Sequence, residues 1–177
     1  VAELTQAIVN KIVDLALVEG DGTNGFKSID KEADVKKIKK ITTKAKAAGK
    51  TPFADAIEEA VDFVRPTAGR RYLIVKAEDR KALLDELRQA TANANVRIKN
   101  DDTEIASEVG VDEIIVYTGS KALKPTVLVD QKYHIDMQDL TKVDAFEWKT
   151  NSNMILVETL TSGHVETYNA GAVITVA

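Results

Sequence analysis

The chain has no cysteine among its 177 residues and only two histidines, His134 and His164, 30 positions apart. The first absence removes disulfides, thiolate catalysis and cysteine-held zinc or iron–sulfur sites. The second leaves little imidazole for general-base chemistry. No Gly-x-Ser-x-Gly elbow and no His-Glu-x-x-His helix occurs, and the plentiful aspartates and glutamates are dispersed. Charge of one sign is lacking too: 24 basic residues against 28 acidic ones give a net charge of -4, which excludes nucleic-acid binding driven by bulk charge. No apolar run approaches the about 18 residues of a membrane span, and no charged-then-apolar leader opens the chain, so neither a membrane nor a signal peptide is expected. These absences assign no catalytic residue, no metal ligand and no cofactor, and they call for no enzyme and no small-molecule substrate.

What is present is an ordinary globular composition, with 44% hydrophobic and 29% charged residues. A mass of 19.3 kDa leaves room for one domain or two small lobes sharing a core. At this length folding buries roughly 70% of the extended chain's surface, so no metal or disulfide staple is needed.

Leu4, Ile8, Ile12 and Leu15, widened by Val9, Val13 and Leu17, predict a long helix from Glu3 to Glu19 that stops at Gly20. Gly20-Asp21-Gly22-Thr23-Asn24-Gly25 is a turn-rich loop, pinned by Phe26 and Ile29. Val35, Ile38 and Ile41, spaced by three among many lysines, suggest an exposed helical segment over residues 31 to 48. Thr51-Pro52 reads as an N-cap hydroxyl and a first-turn proline, opening a helix that runs to Pro66. Tyr72 to Val75 reads as a strand covered on both faces, Asp79 to Ala90 as a helix, Thr103 to Gly110 as a short helix, and Ile114 to Tyr117 as a second buried strand. Beyond Gly119 only short β-type runs follow, at 126 to 129, 133 to 137, 143 to 148, 154 to 160, 164 to 168 and 172 to 176.

Two motifs fail on their own terms. Gly49-Lys50-Thr51 has the tail of a phosphate-binding loop, but Lys44 stands where its first glycine belongs. Counted from Asp21, Glu32 closes a twelve-residue calcium loop, yet Gly25 and Phe26 occupy positions that need an oxygen ligand and a glycine. The lysines at 36, 37, 39, 40, 44, 46 and 50 are the one basic concentration, and Lys36, Lys37, Lys39 and Lys40 are its candidate interface or phosphate-touching face.

The order of features is a long apolar helix ending in Gly20-Asp21-Gly22-Thr23, a helix, the strand from Arg71 to Lys76 running into Glu78-Asp79, and a second helix. Then come Ile105-Ala106 through Gly110-Val111, the strand at 113 to 117, Val127-Leu128-Val129-Asp130, Phe146, the turn from Asn151 to Asn153, Ile155 to Glu158 and Ala172-Val173-Ile174. That order resembles the major capsid protein family of tailed bacteriophages, the Hong Kong phage shell fold, over nearly the whole chain.

The resemblance implies an α+β, two-lobed fold. A peripheral domain with the long spine helix takes residues 1-50 and 138-166, and an axial domain with a mixed sheet and flanking helices takes 51-137 and 167-177. It implies a core lacking the family's N-terminal arm and extended loop, consistent with a chain that begins at Val1. It further implies self-assembly into hexamers and pentamers of a shell enclosing double-stranded DNA held non-specifically, with scaffold, maturation protease and portal as further partners. The place would be the virion, assembled in the bacterial host cytoplasm. By the same resemblance Asn153 is a candidate subunit cross-link with Glu158 as its helper. An encapsulin-type compartment shell and a small α/β ligand-binding or enzyme domain are the alternatives.

Overall fold

The computed structural model describes residues 2–23, 25–45, 50–92, 97–137, 141–147, 152–158 and 161–177. The expected opening helix forms as α1 (Ala2–Asp14) and continues through one π-helical turn, Leu15–Glu19, to Gly20. A glycine is required there because a β-carbon at position 20 would lie 2.6 Å from the Leu15 carbonyl oxygen and 2.7 Å from that of Phe26. The helix end is thereby pressed onto the following loop, and the Gly20 N–H donates back to the Leu15 carbonyl at 2.9 Å.

The core is a five-stranded mixed sheet built from β1 (Ile38–Thr42), β2 (Arg71–Val75), β3 (Glu113–Val116), β4 (Thr126–Val129) and β9 (Gly171–Thr175). Its order is β1-β9-β4-β2-β3, with β4 antiparallel to both neighbours and the two outer pairs parallel. Three helices, α2 (Pro52–Val64), α3 (Ala77–Ala90) and α4 (Asp102–Val109), supply most of the other side chains of one hydrophobic layer. In it Ile57, Val64, Leu83 and Ile105 join Ile41, Leu73, Val75, Val127 and Ile174 of the strands. Leu17, Ile29, Ile38, Ile74 and Val173 form a second, smaller cluster. Alternate residues of one strand thus enter different clusters, Leu73 and Val75 the first and Ile74 the second. That is why the Tyr72 to Val75 segment is apolar without a break.

Two antiparallel ribbons complete the chain. One pairs β5 (Tyr133–Met137) with β8 (Thr161–Val165), and the other pairs β6 (Thr141–Glu147) with β7 (Ser152–Glu158). The lobe boundaries expected at 50, 137 and 166 fall between hydrogen-bonded partners, separating β1 from β9 and β5 from β8.

Four sequence expectations are corrected. The segment 31 to 48 holds strand β1 instead of a helix, because the three-residue spacing of Ile38 and Ile41 serves a two-sided strand. Ile38 enters the second cluster and Ile41 the first. Strand β3 lies at the sheet edge, where only Ile114 is buried and Ile115 stays 41% exposed. The strand expected at 164 to 168 is displaced to Thr161–Val165 and holds Gly163 in mid-strand. A β-carbon there would come within 2.7 Å of the Phe26 ring and 2.8 Å of the Tyr133 ring, so the glycine is set by close packing and does not mark a turn.

Finally, Thr51 makes no side-chain cap, and its hydroxyl donates to Asp55 at 2.9 Å instead. The buried Glu86 carboxylate of α3 accepts the N–H groups of Phe53 and Ala54, each at 2.9 Å. The orphan donors of α2 are therefore satisfied by a neighbouring helix.

Candidate functional site

The four candidate lysines do not share one free face. Lys36 is exposed, while the Lys37 ammonium donates to the Val165 carbonyl at 2.8 Å. Lys39 pairs with Glu59 of α2 at 2.7 Å and lies over the Phe63 ring, 5.8 Å from its centroid. Lys40 turns the other way, donating to the Ile29 carbonyl at 3.0 Å and to that of Asp30. Burial pushes the Lys40 amine below its usual range. Adjacent residues of a strand point to opposite sides, so β1 divides its lysines between two layers where a helix would have gathered them.

Asn153 stands in β7 with Phe146 as its register partner, and Glu158 stands opposite Thr141 at the strand's other end. Five residues of extended chain separate them, roughly 16 Å, so the strand itself does not bring the two together. Lys44 and Lys50 lie in described segments, while Lys46 and Gly49 fall outside the described residues.

The structure does unite the two histidines, which stand 30 positions apart in sequence. His134 of β5 and His164 of β8 are register partners, with Glu166 3.7 Å and 3.1 Å from their respective Nε2 atoms. Only strand register makes this neighbourhood, and local spacing carries no signal for it. Both rings are close to half exposed. Among the described residues no group of three or more His, Cys, Asp or Glu side chains is arranged to hold a metal ion.

A polar clamp fixes the end of α1 to the chain after β3. Glu19 pairs with Lys11 and, at 2.5 Å, with Lys121, while the Tyr117 hydroxyl donates to Asp14. Hydrogen bonds from Lys11, then Lys121, hold the Glu19 carboxyl down at about 2. Because this lies below the value in an unfolded chain, the clamp's contribution is complete above about 4.5 and is lost as pH falls through about 2. The stability difference between the parent and Glu19→Gln is therefore expected to shrink on acidification across that window. Chemical denaturation at a series of pH values measures it, and a difference independent of pH would refute the clamp.

Beside the clamp lies an apolar groove of about 400 Å³, lined by Val13, Leu17, Ile74, Ile115, Leu128 and Ile135 among others. A second hollow of about 320 Å³ adjoins it, lined by Asn10, Asp14, Tyr117 and Ser120. The two tyrosine hydroxyls near the groove are already engaged, Tyr117 by Asp14 and Tyr133 by the Lys27 carbonyl at 3.0 Å. Burial pushes the Tyr133 phenol up to about 12. Beyond the single hydroxyl of Thr118, the groove's lining offers no set of converging polar groups of the kind that orients a small ligand.

A five-stranded mixed sheet carrying helices, two β-ribbons and a helix clamped alongside make up a fold that solved viral-type capsid shells share. Two solved structures share it. One is the capsid of an empty GTA particle, with a TM-score of 0.57 and 14% identity over 99% of this chain and 66% of the other. The other is the procapsid of satellite phage P4 including its size determination protein, with a TM-score of 0.53 and 15% identity over 99% and 64%.

Over all 177 residues the sequence is 98% identical to the capsid protein of Lactococcus phage p2 and, equally, to that of Lactococcus phage SK1. The chain spans 45% of the length of each of these relatives. No family profile matches it. In sequence and in fold the chain thus matches phage capsid proteins, as the order of its elements implied, and the relatives' names denote a structural role.

Proposed function

We propose that the full-length protein is the structural subunit of a bacteriophage icosahedral shell and that these 177 residues form part of its wall. The observation that supports this best is the 98% identity, without a gap in coverage, to two proteins named as capsid protein. On this reading copies associate as hexamers and pentamers, the protein resides in the virion, and it works through interfaces instead of a catalytic pocket. The excess of acidic residues suits a wall that encloses DNA without gripping its phosphates. The five-stranded sheet with α2, α3 and α4 is the axial lobe in this proposal, and α1 with the two β-ribbons is the peripheral lobe.

Negative-stain electron microscopy of the full-length protein expressed alone tests the reading. Closed particles or capsomer rings are expected. Small particles only, at high concentration and across salt, would overturn it. The proposed cross-link through Asn153 has its own measurement, since a denaturing gel of assembled particles should then show ladders above the monomer. Monomer bands alone would remove it.

A further inference from the structure

Among the described residues, the groove beside α1 is a concavity that folding leaves open to solvent. Leu128, Ile74 and Ile115 come from three neighbouring strands, β4, β2 and β3, and form its floor. Cover runs out toward the sheet edge, for Ile74 is 8% exposed and Ile115 41%. The walls are no better covered. Val13 of α1 is 40% exposed and Ile135 of β5 45%, and Val9, one turn before Val13, extends the apolar strip at 46%. Isolated exposed aliphatics are common on any surface, but a contiguous set around one concavity marks an interaction site.

We propose that this groove seats an apolar segment of the full-length capsid protein lying outside these 177 residues, laid there by the same molecule. Two observations and one physical argument select that occupant. The relatives devote more than half of their length to sequence outside this chain, so ample polypeptide exists to cover the groove. The lining is apolar but for Thr118, and the Tyr117 and Tyr133 hydroxyls beside it are already bonded, which suits aliphatic or aromatic side chains more than a strongly polar ligand. A subunit awaiting assembly at high concentration would aggregate through such a patch were it bare, which requires cover before neighbours arrive and favours the same chain over a second copy. The floor crosses three strands, a span of roughly 10 Å, enough for two or three side chains of a short extended run.

The inference rests on the shell-subunit reading only through the length of the relatives. Because the 177 residues contain no cysteine, a single introduced thiol reports cover directly. Ile115→Cys and, separately, Ile135→Cys are made in the full-length protein, with Val35→Cys as the control at a residue 66% exposed. Reaction with dithiobis(nitrobenzoate) is followed in dilute, unassembled protein, subtracting the parent's own reaction, and thermal melts confirm that each variant folds. Both groove thiols should react at least about tenfold more slowly than the control, at a ratio independent of protein concentration. Equal rates overturn the proposal. Slowing that appears only on concentration or in assembled particles also overturns it and assigns the groove to a second copy. Should Ile115→Cys not fold, Ile135→Cys decides alone. Shells that form while their groove thiols react fast would refute the groove assignment and leave the shell reading standing.

Discussion

Glu86→Ala is expected to destabilise the fold by about 2–4 kcal/mol, a large effect for one side chain on a helix whose sequence reads as amphipathic. The carboxylate is 5% exposed and accepts two backbone N–H groups, those of Phe53 and Ala54, at the start of α2. Alanine leaves both donors buried without a partner and removes a negative charge from the positive end of the helix dipole. Glu86→Gln keeps an acceptor oxygen and loses the charge, so its cost should be smaller, about 1 kcal/mol. Urea denaturation of the three proteins checks the order. Loss of less than about 0.5 kcal/mol in the alanine variant would show that water reaches those donors and that the cap does not hold α2.

This cap marks the boundary of what the sequence made legible. The helix from Pro52 was readable because Phe53, Ile57, Ala60 and Val64 repeat at helical spacing, and the strand from Arg71 because four apolar residues run together. Both signals are local. The partner of the helix start stands 33 residues away from Phe53, in α3, and nothing in the spacing of Thr51-Pro52 reveals it. The pairing of His134 with His164 is hidden in the same way, as a property of strand register.

Strand β1 is hidden for a different reason. A buried residue every third position is the mark of a helix on one-sided proteins, but it also arises on a strand lined on both faces. The candidate lysines carry the same ambiguity, since a helix would have gathered side chains that the strand sends to Glu59 on one side and to the Ile29 and Asp30 carbonyls on the other. The family resemblance does not depend on β1, because it rests on the order of elements along the whole chain. The groove is legible only in three dimensions, since its floor draws on residues 74, 115 and 128.

Phe26→Ala should be the most damaging single truncation considered, at about 3–5 kcal/mol, and the reason is the coupling of its ring to a glycine. Phe26 is 2% exposed and forms a bridge with Gly163, where the ring fills the space a β-carbon would need. Around it the Lys27 N–H donates to the Gly163 carbonyl at 2.8 Å and the Gly163 N–H to the Gly25 carbonyl at 3.0 Å. The loop after α1 is thereby fastened to the β5–β8 ribbon, and removing the ring leaves a cavity beneath that fastening. Gly163→Ala alone should cost about 1–3 kcal/mol by overpacking. In the Phe26→Ala background the added methyl enters vacated space on one side while still meeting Tyr133 on the other, so its cost should fall by about 1 kcal/mol. A double-mutant cycle read by thermal or chemical denaturation supplies the coupling. Strict additivity would mean that the ring and the glycine do not share that space, and that the loop is held by its backbone bonds alone.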